Sequence, residues 1–198
     1  MTKRIIGLTG GIATGKTTVA NYLASAYNLP ILDADIYARD AVSVGSPILS
    51  AIAQRYGAEI LLPDGNLNRQ KLGEIIFTHP DERHWVENLI HPYVGDRFFT
   101  AIAESSAPTL VLVIPLLFEA QMTHLVTEIW VVCCSESQQL QRLIHRNHLT
   151  KEQAGARIKS QMPITEKVAH ADIVLDNSHT LEVLLRQIDA AINKSNEK

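Results

Sequence analysis

Apolar positions along the chain fall into two alternating patterns. Short β-branched runs, at Arg4 to Thr9, Pro30 to Leu32, Thr109 to Ile114, Ile129 to Cys134 and Ile173 to Leu175, are nearly continuous in hydrophobicity. That continuity predicts strands of a parallel sheet, buried on both faces. Between them, apolar residues recur at helical spacing over Lys16 to Ala26, Ile48 to Tyr56, Asp81 to Ile90, Tyr93 to Glu104, Gln138 to Arg146 and Leu181 to Ile192. Strands alternating with helices in this way predict a doubly wound α/β fold. Ser135 and Thr150 each precede a glutamine, Gln138 and Gln153, at capping-box spacing, which predicts a helical pair over 135–161.

About 75 residues separate the second strand from the third, far more than one crossover helix requires. An inserted helical lobe is implied there, with a turn at Pro63-Asp64-Gly65-Asn66. A break is expected at His91-Pro92, because proline biases the residue before it away from helix. At the other end, Asn193 to Lys198 is expected to fray.

Composition narrows the classes without naming one. With 198 residues, 46% of them hydrophobic, the chain can bury one sizeable core, and a single domain with lobes is the default. A formal charge of -3 leaves no broad basic surface, so no nucleic-acid partner is expected and anionic ligands must be met by local groups. The longest apolar run, Leu110 to Phe118, is interrupted by Pro115 and is about half of what a membrane helix needs, so no membrane partner is expected either. The opening MTKRIIGLTGG has no secretory pattern, and a cytoplasmic location is the expectation. Cys133 and Cys134 are adjacent in an apolar run and read as core residues, offering neither a disulfide framework nor a CxxC metal site. His145-x-x-His148 reads as a polar helix end, and no HExxH zinc motif occurs. The sequence does not specify an oligomeric state.

Chemistry enters at Gly10-Gly11-Ile12-Ala13-Thr14-Gly15-Lys16-Thr17, which matches G-x-x-x-x-G-K-[ST] between a predicted strand and a predicted helix. Glycines let the backbone wrap a phosphate, and successive N–H groups with the helix N-terminus oppose its charge. Lys16 is expected to reach the β and γ oxygens of a nucleoside triphosphate, and Thr17 to ligate Mg²⁺. A guanine-specific switch would need NKxD and DxxG; no DxxG occurs, and Asn193-Lys194-Ser195-Asn196 lacks the aspartate. The third strand does not end in a Walker B carboxylate, which disfavours a motor ATPase and leaves small-molecule kinases.

The second strand ends in Asp33-Ala34-Asp35, and the carboxyl ends of strands form the ligand crevice of such folds. Both carboxylates share a face if the chain is still extended there. One of them can orient an acceptor hydroxyl, or reach Mg²⁺ directly or through water; the alternative is capping of the next helix, which suits Asp35 better than Asp33. Arg142 and Arg146 lie one helical turn apart, with Arg157 on the following helix. Such a cluster suits a lid over transferring phosphate, or simply a solvated face.

Taken in order, several landmarks resemble the bacterial dephospho-coenzyme A kinase family over essentially the whole chain. They are LTGGIATGKTT at Leu8 to Thr18, LDADIYAR at Leu32 to Arg39, IHP at Ile90 to Pro92, PLLFE at Pro115 to Glu119, QRLIHR at Gln141 to Arg146 and ADIVLDN at Ala171 to Asn177. The resemblance implies transfer of the ATP γ-phosphoryl group, with Mg²⁺, to the ribose 3′-hydroxyl of dephospho-coenzyme A. It implies a three-layer α/β/α P-loop fold with a five-stranded parallel sheet, divided into a core (about 1–35, 106–136 and 168–198), an acceptor-binding lobe (about 36–105) and a lid (about 137–167).

By the same resemblance, ATP falls to Gly11, Ala13, Thr14, Gly15, Lys16, Thr17, Thr18, Arg142 and Asn177, with Asp176-Asn177 at the loop expected near adenine. Asp33, Lys16 and Arg146 would be catalytic, Asp33, Asp35, His91, Leu116 and Leu117 would meet the acceptor, with Phe118 beside them, and Thr17 would meet the metal. His91 has a helix-ending structural role as its alternative, and the leucines have core packing as theirs. Two positions depart from the family pattern: Val113 where many relatives are acidic, and Asn147 where aspartate often follows the lid arginine.

Overall fold

The continuous apolar runs do become strands. In the computed structural model, which describes residues 3–194, β1 covers Arg4–Gly10, β2 Ile31–Asp33, β3 Thr109–Val113, β4 Glu128–Cys133 and β5 Ile173–Asp176. They form one sheet in the order β2-β3-β1-β4-β5. Central β1 pairs in parallel with β3, Ile6 opposite Val111, and with β4, Leu8 opposite Trp130. All four of those side chains are completely buried, as strands covered on both faces must be. The expected five-stranded parallel α/β architecture holds.

Nine α-helices follow among the described residues: α1 (Lys16–Tyr27), α2 (Ala34–Ala41), α3 (Pro47–Tyr56), α4 (Arg69–Thr78), α5 (Pro80–Glu104), α6 (Glu136–Asn147), α7 (Lys151–Lys159), α8 (Ile164–Ala169) and α9 (Leu181–Lys194). The chain divides into two compact units, one of residues 1–32 and 105–198, the other of residues 33–104. In the first, α1 and α9 supply Val19, Leu23, Leu184 and Ile188 to a core shared with Ile6, Leu8, Trp130 and Leu175. Burial of each such side chain contributes about 1.5–3 kcal/mol, which binds the helices to the sheet. Both capping boxes form: Ser135 Oγ accepts the Gln138 N–H before α6, and Thr150 Oγ1 the Gln153 N–H before α7. β4 ends at Cys133, one residue short of the predicted run; both thiols are free, Cys134 is buried and Cys133 partly so.

The second unit has its own core of Val42, Leu49, Ile52, Ile60, Leu67, Leu72 and Val86. Ser46 caps α3 with Pro47 at its first position, and Asn68 caps α4. The turn at 63–66 forms, with Asp64 accepting the Asn66 N–H at 3.0 Å. The break expected at His91-Pro92 does not occur: α5 is one 25-residue helix with Pro92 inside it. Pro92 and Asn88, whose carbonyl loses its helical donor, are both exposed, so water can replace the missing bond. Meanwhile Val86, Val94 and Phe98 keep one apolar stripe running through the proline. At the C-terminus, Asn193 and Lys194 are helical, and the rest of the expected frayed tail lies outside the described residues.

Candidate active site

The loop between β1 and α1 is held by its own bonds and by its glycines. Gly15 takes φ 109° at the N-cap of α1, and a Cβ there would overlap the Asn177 side-chain amide, so both backbone and space demand glycine. Ala13 takes φ 60°, an uncommon conformation for a residue with a Cβ and typical of strain kept at a functional loop. Lys16 Nζ bonds the carbonyls of Gly10 at 3.0 Å and Gly11 at 2.8 Å, folding back across the loop. Thr14, fully buried, donates its hydroxyl to the Gly11 carbonyl at 2.9 Å. Among the described residues no side chain caps α1, a helix start of the kind that favours an anion, and Thr17 and Thr18 stand exposed in its first turn.

Asn177, just after β5, braces this loop. Its Nδ2 donates to the Thr14 carbonyl at 2.8 Å, its own N–H bonds the Cys133 carbonyl at 2.8 Å, and its carbonyl accepts Arg142 Nη2 at 3.0 Å. Arg142 Nη1 is buried with no hydrogen-bond partner among the described residues. Asp176 is held below its usual range by its bond from Ser178. The three arginines expected to act together are treated differently. Arg142 is half-buried and tied to Asn177, Arg146 is exposed in the last turn of α6 with Nε on Asn147 Oδ1 at 2.9 Å, and Arg157 lies half-buried on α7.

In the second unit, Asp33 caps α2: its Oδ1 accepts the Asp35 N–H at 2.8 Å. The expectation that capping suits Asp35 better is therefore corrected, as is the shared strand face, because the chain turns helical at Ala34. Asp35 sits exposed in the first turn of α2. His91 lies half-buried mid-helix in α5, and burial lowers its pKa below the ordinary value. In the first unit, Leu117 is completely buried while Leu116 and Phe118 keep some exposure, so any acceptor wall there is made by the latter two.

Comparison with known proteins adds the decisive observation: the dephospho-CoA kinase family model matches residues 4–182. The chain belongs to that family. A dephospho-CoA kinase of Nostoc sp. is 77% identical over 193 residues, covering 98% of each chain. Among solved structures, one from Thermus thermophilus is 31% identical with a TM-score of 0.82, and a dephospho-CoA kinase from Campylobacter jejuni is 25% identical with a TM-score of 0.72; each comparison covers 98% of both chains. Membership of the dephospho-CoA kinase family makes this an ATP-dependent kinase of the final step of coenzyme A biosynthesis.

Four side chains without a role in the sequence reading stand out in this dephospho-CoA kinase, two of them on the loop itself. Gln139 Nε2 donates to the Ile12 carbonyl and Gln161 Oε1 accepts the Ile12 N–H, each at 2.8 Å. Lys167 is completely buried and pairs with Glu119 at 2.9 Å. Glu119 lies in the PLLFE landmark, so a signal existed for it. Lys167, on a six-residue helix, carries no periodic mark that separates it from a surface lysine.

Proposed function

We propose that the chain transfers the γ-phosphoryl group of ATP to the ribose 3′-hydroxyl of dephospho-coenzyme A, in the cytoplasm, through roles that can be assigned residue by residue. The observation that carries this reading is a phosphate loop already closed around Lys16 in a chain matching the family over residues 4–182. ATP phosphates lie on the N–H groups of the loop and of the first turn of α1, from Ala13 through Thr18. Lys16 turns from the Gly10 and Gly11 carbonyls to the β and γ oxygens, so ligand bonds replace internal ones. Arg142 and Asn177 flank the base.

The acceptor oxygen attacks the γ phosphorus, the bond from that phosphorus to the β–γ bridging oxygen breaks, and ADP leaves. Asp33 orients the hydroxyl through the oxygen that does not cap α2 and takes its proton late, since an ordinary carboxylate is too weak a base to ionise an alcohol beforehand. Arg146 meets the equatorial oxygens of the transferring group, where charge is spread in a loose transition state. Asp35, His91 and Leu116 hold the acceptor, with Leu117 supporting the wall from behind.

Mg²⁺ suits the residues present. Among the described residues there is no cluster of three ligating side chains, and one exposed hydroxyl, Thr17, beside bound phosphates and water is a donor set this ion accepts. Bound there, it would neutralise charge on the phosphate oxygens.

The test incubates the purified protein with ATP, Mg²⁺ and, in separate tubes, dephospho-coenzyme A, a nucleoside and a sugar acid, locating new phosphate by ³¹P NMR. Phosphate on the ribose 3′-oxygen of dephospho-coenzyme A is expected. Phosphorylation of another acceptor, with none of dephospho-coenzyme A, overturns the proposal.

A further inference from the structure

Ile12, at the apex of the phosphate loop, is gripped on both sides of its backbone. A peptide unit is planar and trans, so its C=O and N–H point in opposite directions. The unit joining Gly11 to Ile12 has its N–H on Gln161 Oε1 at 2.8 Å and its C=O on Lys16 Nζ and Thr14 Oγ1. The next unit has the Ile12 C=O on Gln139 Nε2, which turns the Ala13 N–H the opposite way. Two glutamines 22 places apart in sequence therefore set two successive peptide planes of the phosphate cradle.

The Gln161 N–H bonds the Ile158 carbonyl at 3.2 Å, and the next residue, Met162, is tied to the ion pair of Glu119 with completely buried Lys167. Glu119 Oε1 accepts the backbone N–H of Met162, the residue after Gln161, at 2.9 Å. Lys167 Nζ bonds Glu119 and also the Pro115 carbonyl at 3.0 Å, and that carbonyl in turn accepts the Thr9 hydroxyl at 3.2 Å, one residue before the loop begins. Contacts thus run from Lys167 to both ends of the loop's first half. An ion pair with a completely buried lysine adds little stability over apolar residues of the same volume, whereas the pair and the Pro115 and Met162 backbone bonds together hold one geometry.

We propose that Lys167 and Glu119 are positioning residues that act through Gln161, together with Gln139, to hold the Gly11-Ile12-Ala13 backbone in its phosphate-binding form. None of the four touches the reacting atoms, and the proposal rests on the phosphate-loop reading above.

Calorimetric titration with ADP tests it, using wild type, Gln161→Ala, Lys167→Met, their double variant and Lys167→Arg. Gln161→Ala is expected to weaken ADP binding about tenfold, the weight of one net hydrogen bond, while KM for dephospho-coenzyme A stays within about twofold. Because Lys167 works through Gln161, the double variant should bind ADP no worse than the weaker single variant, and Lys167→Arg should recover part of the loss. If Lys167→Met does not fold, Glu119→Gln takes its place in the same cycle. Independent, additive losses overturn the relay, as does Gln161→Ala with wild-type ADP affinity. A wild-type protein that binds no ADP overturns the phosphate-loop reading and the relay with it.

Discussion

Asp33→Asn and Asp33→Ala separate two duties carried by one carboxylate. Oδ1 of Asp33 caps α2 through the Asp35 N–H at 2.8 Å. Asparagine caps about as well as aspartate, whereas alanine forfeits about 1 kcal/mol. In a chain of this length that loss lowers the melting temperature by roughly 2–4 °C. Asp33→Ala is therefore expected to melt that far below wild type, and Asp33→Asn within about 1 °C of it. Turnover sorts the pair differently. Neither side chain can take the proton of the acceptor hydroxyl, so both variants are expected to lose about 10²–10⁴ in kcat. At 1.36 kcal/mol per tenfold, this is about 3–5 kcal/mol of barrier. ATP affinity should be unchanged, since Asp33 is assigned to the acceptor. Thermal melting followed by fluorescence, ATP titration and an ADP-release assay with dephospho-coenzyme A measure the three quantities. If Asp33→Asn turns over within about threefold of wild type, Asp33 is a cap alone and the catalytic assignment fails.

Arg146→Ala should lower kcat by about 10²–10³, the range for losing one donor aimed at transition-state charge, with ATP affinity changed less than threefold. Because Arg146 is exposed and bonded only to its neighbour Asn147 among the described residues, melting should not move; parallel loss of binding with kcat intact would make it a ground-state clamp. The helical unit should weaken in acid. Glu82 is held down to about 2, from 4.5, by its bonds from Arg55 at 2.7 and 2.9 Å and from Tyr56 at 2.5 Å. Below pH 4.5 the unfolded chain takes up this proton more readily than the folded one, so the stabilisation present above that pH is lost as pH falls towards about 2. Urea unfolding of wild type and Glu82→Gln should differ at pH 7 and converge towards pH 2; a constant difference would refute the pairing as its source.

The phosphate loop was legible because its residues are contiguous: strand, glycines, lysine and helix start fall in one short stretch, and local geometry alone dictates their use. The five strands and both capping boxes were legible for the same reason, each being a local pattern of apolar or polar residues. Short helices escaped. α2 and α8 span too few turns for a period to show, and α5 could not be read as continuous, because proline signals a break unless solvent and an unbroken apolar stripe offset it. Tertiary structure alone decided what surrounds the loop. Gln161 reaches Ile12 across 149 residues, and the bond from Asn177 to the Thr14 carbonyl spans 163, distances over which no sequence period survives, although the family resemblance had already put Asn177 near ATP. It also gave Asp33 its cap, buried Leu117 and drew Lys167 out of solvent onto Glu119. The sequence determined which chemistry the chain can perform, since reactive side chains and backbone-permissive glycines are intrinsic to residue type. Which side chains hold that chemistry in place depends on how the sheet brings distant segments together.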